Sequence, residues 1–226
     1  MSKPLAVIVG VGDGLSASVA RLFAREGYAL ALAARDVSKI ATLSKGTGAT
    51  TYACDASDER SVAALFAALP AAPAVVIYNP SFRTRGALVD LAPAEVKKTI
   101  DVCAFGAFLV AQQATRKMLA AGGGTIIFTG ASAGVKGYAK SAPFAMGKFA
   151  LRGLAQSMAR ELHPQGIHIA HVVIDGGIRS ARRPDDSGDD KLLDPDAIAQ
   201  NYLHLVRQPR SSWSWEIEVR PWVETF

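Results

Sequence analysis

The run Gly10-Val11-Gly12-Asp13-Gly14-Leu15-Ser16 packs three glycines into five residues and is the first group whose spacing implies chemistry. Glycine lets a backbone turn tightly and approach a ligand closely. A helix starting directly after such a turn offers unpaired N–H groups and the positive end of its dipole. That combination suits a pyrophosphate, with Gly10, Gly12, Asp13, Gly14 and Leu15 as its cradle. An ordinary strand-to-helix turn rarely needs three glycines so close together. Arg35 follows the next apolar run, where a dinucleotide-binding fold meets the adenosine ribose. An acidic side chain there accepts from a free ribose hydroxyl, whereas arginine pairs with a ribose phosphate. Ala34 is too small for the acidic role and Asp36 reads as a helix cap, so NADP is favoured and NAD is the alternative. Asp13 argues the other way, because it adds negative charge near the phosphates. An exposed arginine at a strand end is the competing explanation of Arg35.

These residues need a scaffold to hold them. Leu5–Val9 is a short apolar run ended by glycines, as expected of a buried strand. Residues 14–26 carry Leu15, Val19, Leu22 and Phe23 at helical spacing. Further strands are expected at 29–34, 50–53, 74–78, 125–129, 168–174 and 215–219. Helices are expected at 36–45, 58–69, 93–121, 141–162 and from Asp194-Pro195 to about residue 207, where aspartate caps and proline opens the first turn. Strict alternation of strand and helix implies an α/β fold: a Rossmann-type, doubly wound parallel sheet of about seven strands with helices on both faces. Such sheets bind ligands in the loops beyond the carboxyl ends of the strands. A single domain over residues 1–226 is expected, with a short polar lid over 175–193.

Over essentially its whole length the sequence resembles the short-chain dehydrogenase/reductase family. Gly10 and Gly14 match the family's Gly-x-x-x-Gly-x-Gly loop, while Ser16 replaces the third glycine. Asp55 and Ala56 resemble the motif that contacts adenine. Tyr78-Asn79-Pro80-Ser81 stands where relatives carry Asn-Asn-Ala-Gly, so the resemblance puts Asn79 and Pro80 beside the cofactor. The segment 174–180 resembles the loop that holds the nicotinamide carboxamide, which implies contacts from Gly176 and Ile178; Asp175 replaces its proline. Family members are also dimers or tetramers built through the fourth and fifth helices, and Phe105, Phe108, Met146 and Phe149 are compatible with a homodimer or homotetramer.

The catalytic positions depart from that pattern. The family's Tyr-x-x-x-Lys places both side chains on one helix face. The lysine stabilises tyrosinate and grips the nicotinamide ribose, while the tyrosine exchanges a proton with the substrate oxygen. Here Phe144-Ala145-Met146-Gly147-Lys148 keeps Lys148 and puts a ring without a proton at the tyrosine position. The serine position falls on Ala131, with Ser132 as a neighbour able to serve, and the helix asparagine position falls on Cys103. Three readings follow. The first is an oxidoreductase of NADP-dependent carbonyl or alcohol chemistry, whose proton comes from water, Ser132 or Tyr138. The second is an inactive dinucleotide-binding regulatory or partner-binding protein. The third is a lyase or isomerase with Lys148 or a loop aspartate as base.

Composition narrows the partners. The 226 residues are 50% hydrophobic and 20% charged, with a formal charge of +5, which is ordinary for a globular chain. Basic residues are dispersed without interleaved aromatics, so no nucleic-acid surface is expected. There is no apolar run long enough to span a bilayer and no leader pattern. Cys54 and Cys103 form no Cys-x-x-Cys pair, which suits reduced thiols in a cytoplasmic protein. His163, His168, His171 and His204 lack metal-ligand spacing, so no metal is expected and packing is the better reading of His168 and His171. The one dense basic group, Arg179, Arg182 and Arg183, precedes an acidic stretch and lies in the lid. An anionic small-molecule substrate would meet those arginines there.

Overall fold

The computed structural model describes residues 3–180, 183–184 and 188–224. The strands are β1 Leu5–Val9, β2 Ala29–Ala34, β3 Thr50–Ala53, β4 Val75–Tyr78, β5 Gly124–Thr129, β6 Ile167–Ile174 and β7 Glu216–Val219. They form one parallel sheet in the order β3-β2-β1-β4-β5-β6-β7. Between them run α1 Leu15–Arg25, α2 Ala41–Thr47, α3 Glu59–Ala67, α4 Pro93–Ile100, α5 Gly106–Ala121, α6 Ala142–Leu162 and α7 Pro195–Arg207.

Strand pleating divides the core into two layers. Val7 and Val9 of β1, with Val76 and Tyr78 of β4, pack toward α3, α5 and α6. Ala6 and Ile8, with Val75 and Ile77, pack toward α1 and α7 on the opposite face. Every residue of β1, β4 and β6 is buried, which explains why β1 and β4 read as unbroken apolar runs, interrupted in β6 only by His168 and His171. β1 pairs with β2 on one side and β4 on the other, so the winding direction reverses between β1 and β4. The loops that leave those two strands therefore open a crevice at the carboxyl edge of the sheet.

Two expected helices differ from the structure. The segment expected over 36–45 is a 3₁₀ turn, Val37–Ile40, capped by the Asp36 carboxylate on the Ser38 N–H at 3.1 Å, followed by α2. The segment expected over 93–121 is broken by a π-helical turn, Asp101–Phe105, between α4 and α5. The Tyr78 hydroxyl reaches into this turn and donates to the Val102 carbonyl at 2.5 Å. Gly106 then passes so close to Ala56 and Tyr78 that a methyl group on it would lie 2.5 Å from the Ala56 oxygen. Helical periodicity in sequence cannot register one extra residue forced in by a buried hydroxyl.

The described part of the expected lid is tied down at its ends. Arg179 N–H donates to the Leu193 carbonyl at 2.9 Å and Leu193 N–H to the Gly177 carbonyl at 2.8 Å. Ser180 and Arg183 exchange two backbone bonds. Gly176 (φ +151°) packs against Pro221, where a Cβ would come within 2.8 Å of the ring.

Candidate active site

The glycine loop sits at the switch between β1 and β4. Gly10 adopts φ +80° and lies against Pro80; a Cβ on Gly10 would be 2.6 Å from the Pro80 nitrogen. Around Gly12 and Gly14, by contrast, a Cβ would meet nothing within 4 Å, so the space beside them is left to a ligand. α3 and α7 are each capped by an aspartate side chain, Asp58 and Asp194. α1 begins at Gly14 with no capping side chain among the described residues and no acid in its first turn. Its free N–H groups face the opening, with Leu15 buried beneath and Asp13 on the rim of the main cleft. Ser16, the apparent departure from the glycine motif, has a structural use. Its hydroxyl donates to the Gly10 carbonyl at 3.1 Å and accepts from the Asn79 amide at 2.6 Å. The residues present thus fit a pyrophosphate.

Beyond the cradle lies a pocket of about 320 Å³ lined by Ala34, Arg35, Asp55, Ala56, Asn79 and Pro80. Asp55 accepts from the Ser57 hydroxyl at 2.6 Å and the Ser57 N–H at 2.9 Å, bonds that hold its carboxyl below the usual range. Lys98 of α4 enters this pocket as a second cation beside Arg35 and stacks its ammonium 4.5 Å from the Phe82 ring. Sequence reading missed Lys98, because only the packing of α4 against the β4 loop brings it there.

At the other end is a cleft of about 1230 Å³, lined by Asn79, Ala131, Ser132, Phe144, Lys148, Gly176 and Ile178 among others. Lys148 is 2% exposed and donates from Nζ to the Thr129 carbonyl at 2.8 Å. Burial pushes its pKa down. Phe144 forms part of the wall, its ring centre 5.7 Å from Lys148 Nζ and 4.9 Å from the Arg83 guanidinium carbon. Ala131 packs with Phe144, Ala133 and Cys103 in a small apolar cluster. Ser132 opens a 3₁₀ turn and lines the cleft, as does Tyr138. Cys103 is fully buried and its thiol donates to the Phe82 carbonyl at 3.4 Å. His171 is a packed residue, as expected. Its Nδ1–H donates to Glu216 at 2.9 Å, and Glu216 in turn accepts two bonds from Arg152.

The lid residues divide. Arg179 is paired with Asp194 at 2.8 Å, whereas Arg183 lines the cleft; Arg182, Asp185 and Asp186 lie outside the described residues. Asp175, which replaces the proline of the carboxamide loop, is 4% exposed and lies 3.3 Å from Lys136 and 3.5 Å from Arg220. It borders the cleft with its carboxylate engaged by these two cations. Among the described residues no three metal-ligating side chains converge, and no helix is long and apolar enough to cross a membrane.

The family model described as short chain dehydrogenase matches residues 4–187. The chain belongs to the short-chain dehydrogenase family. An uncharacterized oxidoreductase of Staphylococcus aureus is 26% identical over 98% of both chains. The 3-oxoacyl-acyl-carrier-protein reductase MabA of Mycobacterium bovis is 32% identical over 76% of this chain and 68% of its own. Among solved structures, a short-chain dehydrogenase from Rhodopseudomonas palustris superposes with a TM-score of 0.85 at 33% identity, covering 97% of this chain and 99% of that one. A metagenomic short-chain oxidoreductase in complex with NADP gives 0.85 at 28% identity over 98% of each. This is a family of oxidoreductases that bind NAD or NADP and act on small molecules.

Proposed function

We propose that this chain is an NADP(H)-dependent oxidoreductase that interconverts a carbonyl and an alcohol without a tyrosine proton donor. The observation that carries the reading is Lys148. A buried ammonium with one carbonyl partner, set at the floor of a cleft continuous with an intact phosphate cradle, costs stability that packing alone does not explain. When bound, the dihydronicotinamide supplies the hydride. Gly10, Gly12, Gly14 and the first turn of α1 hold the phosphates; Asp55 and Ala56 border the adenine side; Lys148, Gly176 and Ile178 border the nicotinamide side. Arg35 and Lys98 face the same pocket and favour a ribose phosphate.

Phe144 shields the carbonyl from one side and gives no proton, so the alkoxide oxygen takes its proton from water in the open cleft, or from Ser132 or Tyr138 on its wall. Losing a positioned acid costs about two to four orders of magnitude, which leaves a slow enzyme. The test pairs NADPH affinity with NADPH oxidation over a panel of carbonyl compounds. Measurable turnover that vanishes in Lys148→Met supports the reading. Arg35→Ala should weaken NADPH roughly 10- to 100-fold, the loss of one charge-assisted bond, while leaving NADH within a few-fold.

One observation favours a second reading: Phe144, Ala131 and Cys103 form a continuous apolar cluster at the positions of three catalytic groups. Tight NADPH binding with no oxidation by any substrate would mark a non-catalytic binding protein. In either case Phe105, Phe108, Met146 and Phe149, all more than 40% exposed on α5 and α6 and the turn before α5, are expected to be covered in a homodimer or homotetramer, which light scattering measures.

A further inference from the structure

One wall of the cleft is built from the irregular segment 82–86, which follows β4 and is pinned at alternate residues. The Phe82 carbonyl accepts from Cys103 Sγ at 3.4 Å, the Thr84 hydroxyl accepts from Thr99 Oγ1 at 3.1 Å, and Gly86 N–H donates to the Lys140 carbonyl at 3.1 Å. With 82, 84 and 86 held inward, the intervening Arg83 and Arg85 both line the cleft. Arg183 comes from the opposite wall, its guanidinium 2.6 Å from where a Cβ on Gly177 would lie.

These three arginines differ from the paired cations nearby. Arg179 is bound to Asp194, Arg152 to Glu216 and Lys136 to Asp175. Arg83, Arg85 and Arg183 have no carboxylate within ion-pairing distance among the described residues. The Arg83 guanidinium carbon lies over the Phe144 ring, 4.9 Å from its centre, and partial desolvation together with the guanidiniums of Arg85 and Arg183 pushes its pKa below the ordinary arginine value. Beside them Ser141, 2% exposed at the start of α6, lines the cleft with a buried hydroxyl that has no hydrogen-bond partner. Of the acids along the cleft, Asp13 lies by the phosphate cradle and Asp175 is taken up by two cations, which leaves Glu224 at the rim. Like charges fixed together with an orphaned hydroxyl are stabilised by an anion.

We propose that the cleft takes substrates carrying a carboxylate or phosphate, which Arg83, Arg85 and Arg183 grip while the Ser141 hydroxyl donates a further bond. The class is short oxo acids or phosphorylated carbonyls, because the anion site and the proton-donor position share the Phe144 ring. That the gripped molecule is reduced rests on the oxidoreductase reading above; the anion site itself does not.

The test is equilibrium binding. Pyruvate, inorganic phosphate and acetone are titrated by calorimetry into full-length protein saturated with NADP⁺, which occupies the cradle and the ribose-phosphate pocket. Pyruvate or phosphate should bind, and Arg83→Gln/Arg85→Gln should weaken that binding at least tenfold, the loss of a charge-assisted bond. NADP⁺ affinity should change less than twofold, which also shows that the variant is folded; Arg183→Gln gives the same result through a different element. The surface variant Arg21→Gln should leave anion affinity unchanged. Tighter pyruvate marks oxo acids and tighter phosphate marks phosphorylated carbonyls. Anion affinity unaffected by either cleft variant, or no anion binding at all, overturns the proposal. Anion binding in a protein that fails to bind NADP⁺ upholds the anion site and overturns the oxidoreductase reading.

Discussion

Replacing Phe144 with tyrosine returns a proton donor to a site that has kept its lysine. The ring already lines the cleft, 8% exposed, so the substitution adds one hydroxyl with little repacking. Lys148 Nζ lies 5.7 Å from the ring centre and is shielded from water, whereas Arg83, at 4.9 Å, is only partly desolvated and keeps a solvent-exposed face. Counting Lys148 alone, two unit charges ~5 Å apart at an effective dielectric of ~20 attract by about 3 kcal/mol. That favours tyrosinate and holds the new hydroxyl below the ordinary tyrosine value of about 10. A general acid so placed is worth about 10²- to 10⁴-fold. The assay is NADPH oxidation with a carbonyl compound that the wild-type turns over slowly, followed across pH. Phe144→Tyr should raise kcat by that factor, and its rate should fall with rising pH at a midpoint below the ordinary tyrosine value of about 10, where the acid loses its proton. The reverse reaction should rise over the same range. A variant that folds and binds NADPH normally yet shows neither gain nor a new pH limb would refute the placement of Phe144 at the proton-donor position.

Further expectations concern the scaffold. Gly10→Ala forces a left-handed residue against Pro80 and should cost about 2–5 kcal/mol in urea unfolding, adding backbone strain to overpacking, with NADPH affinity lost in parallel. Lys148→Met removes a buried ammonium that burial disfavours, so its melting temperature should stay level or rise by a few degrees while turnover disappears; a clear fall in Tm would count against Lys148 as a functional liability. Burial holds the His171 pKa below its ordinary 6.5 against the opposing bond from Glu216, so the unfolded chain takes up a proton that the folded one resists. Stability should therefore be full above pH 6.5 and decline as pH falls below it. His171→Gln, which keeps a donor for Glu216, should lose the first part of that decline in urea titrations. Burial raises Glu216, but its bonds from Arg152 and His171 outweigh that and hold it below 4.5, so a further loss follows as pH drops through its lowered value.

Much of this molecule was legible before any coordinates. β1, β2 and β3 fall where alternation and glycine punctuation put them, and the glycine loop, Asn79, Phe144 and Lys148 border the expected crevice. What escaped the sequence depends on side chains meeting across long separations. Ser16 read as a lost glycine, yet it ties the Gly10 turn to Asn79. Cys103 read as a lost asparagine, and its thiol holds the Phe82 carbonyl. The lid arginines drew attention because they cluster in sequence, but Arg179 is spent on Asp194. Arg83 and Arg85 were passed over because an irregular segment after a strand has no period to reveal which way its side chains turn. Their direction is set by Thr99, Cys103 and Lys140, none of them neighbours in the chain.

The Asn79–Ser16 bond and the Pro80–Gly10 contact make the phosphate cradle and the arginine-bearing wall two ends of one short stretch of backbone. A ligand settling on Gly12 and Gly14 steadies Ser16, then Asn79, and through six further residues the guanidiniums of Arg83 and Arg85. An anion arriving first meets the same charges on a segment whose near end is still unloaded. The two sites should therefore favour each other's occupation, so that anion affinity measured by calorimetry is higher with NADP⁺ bound than without it.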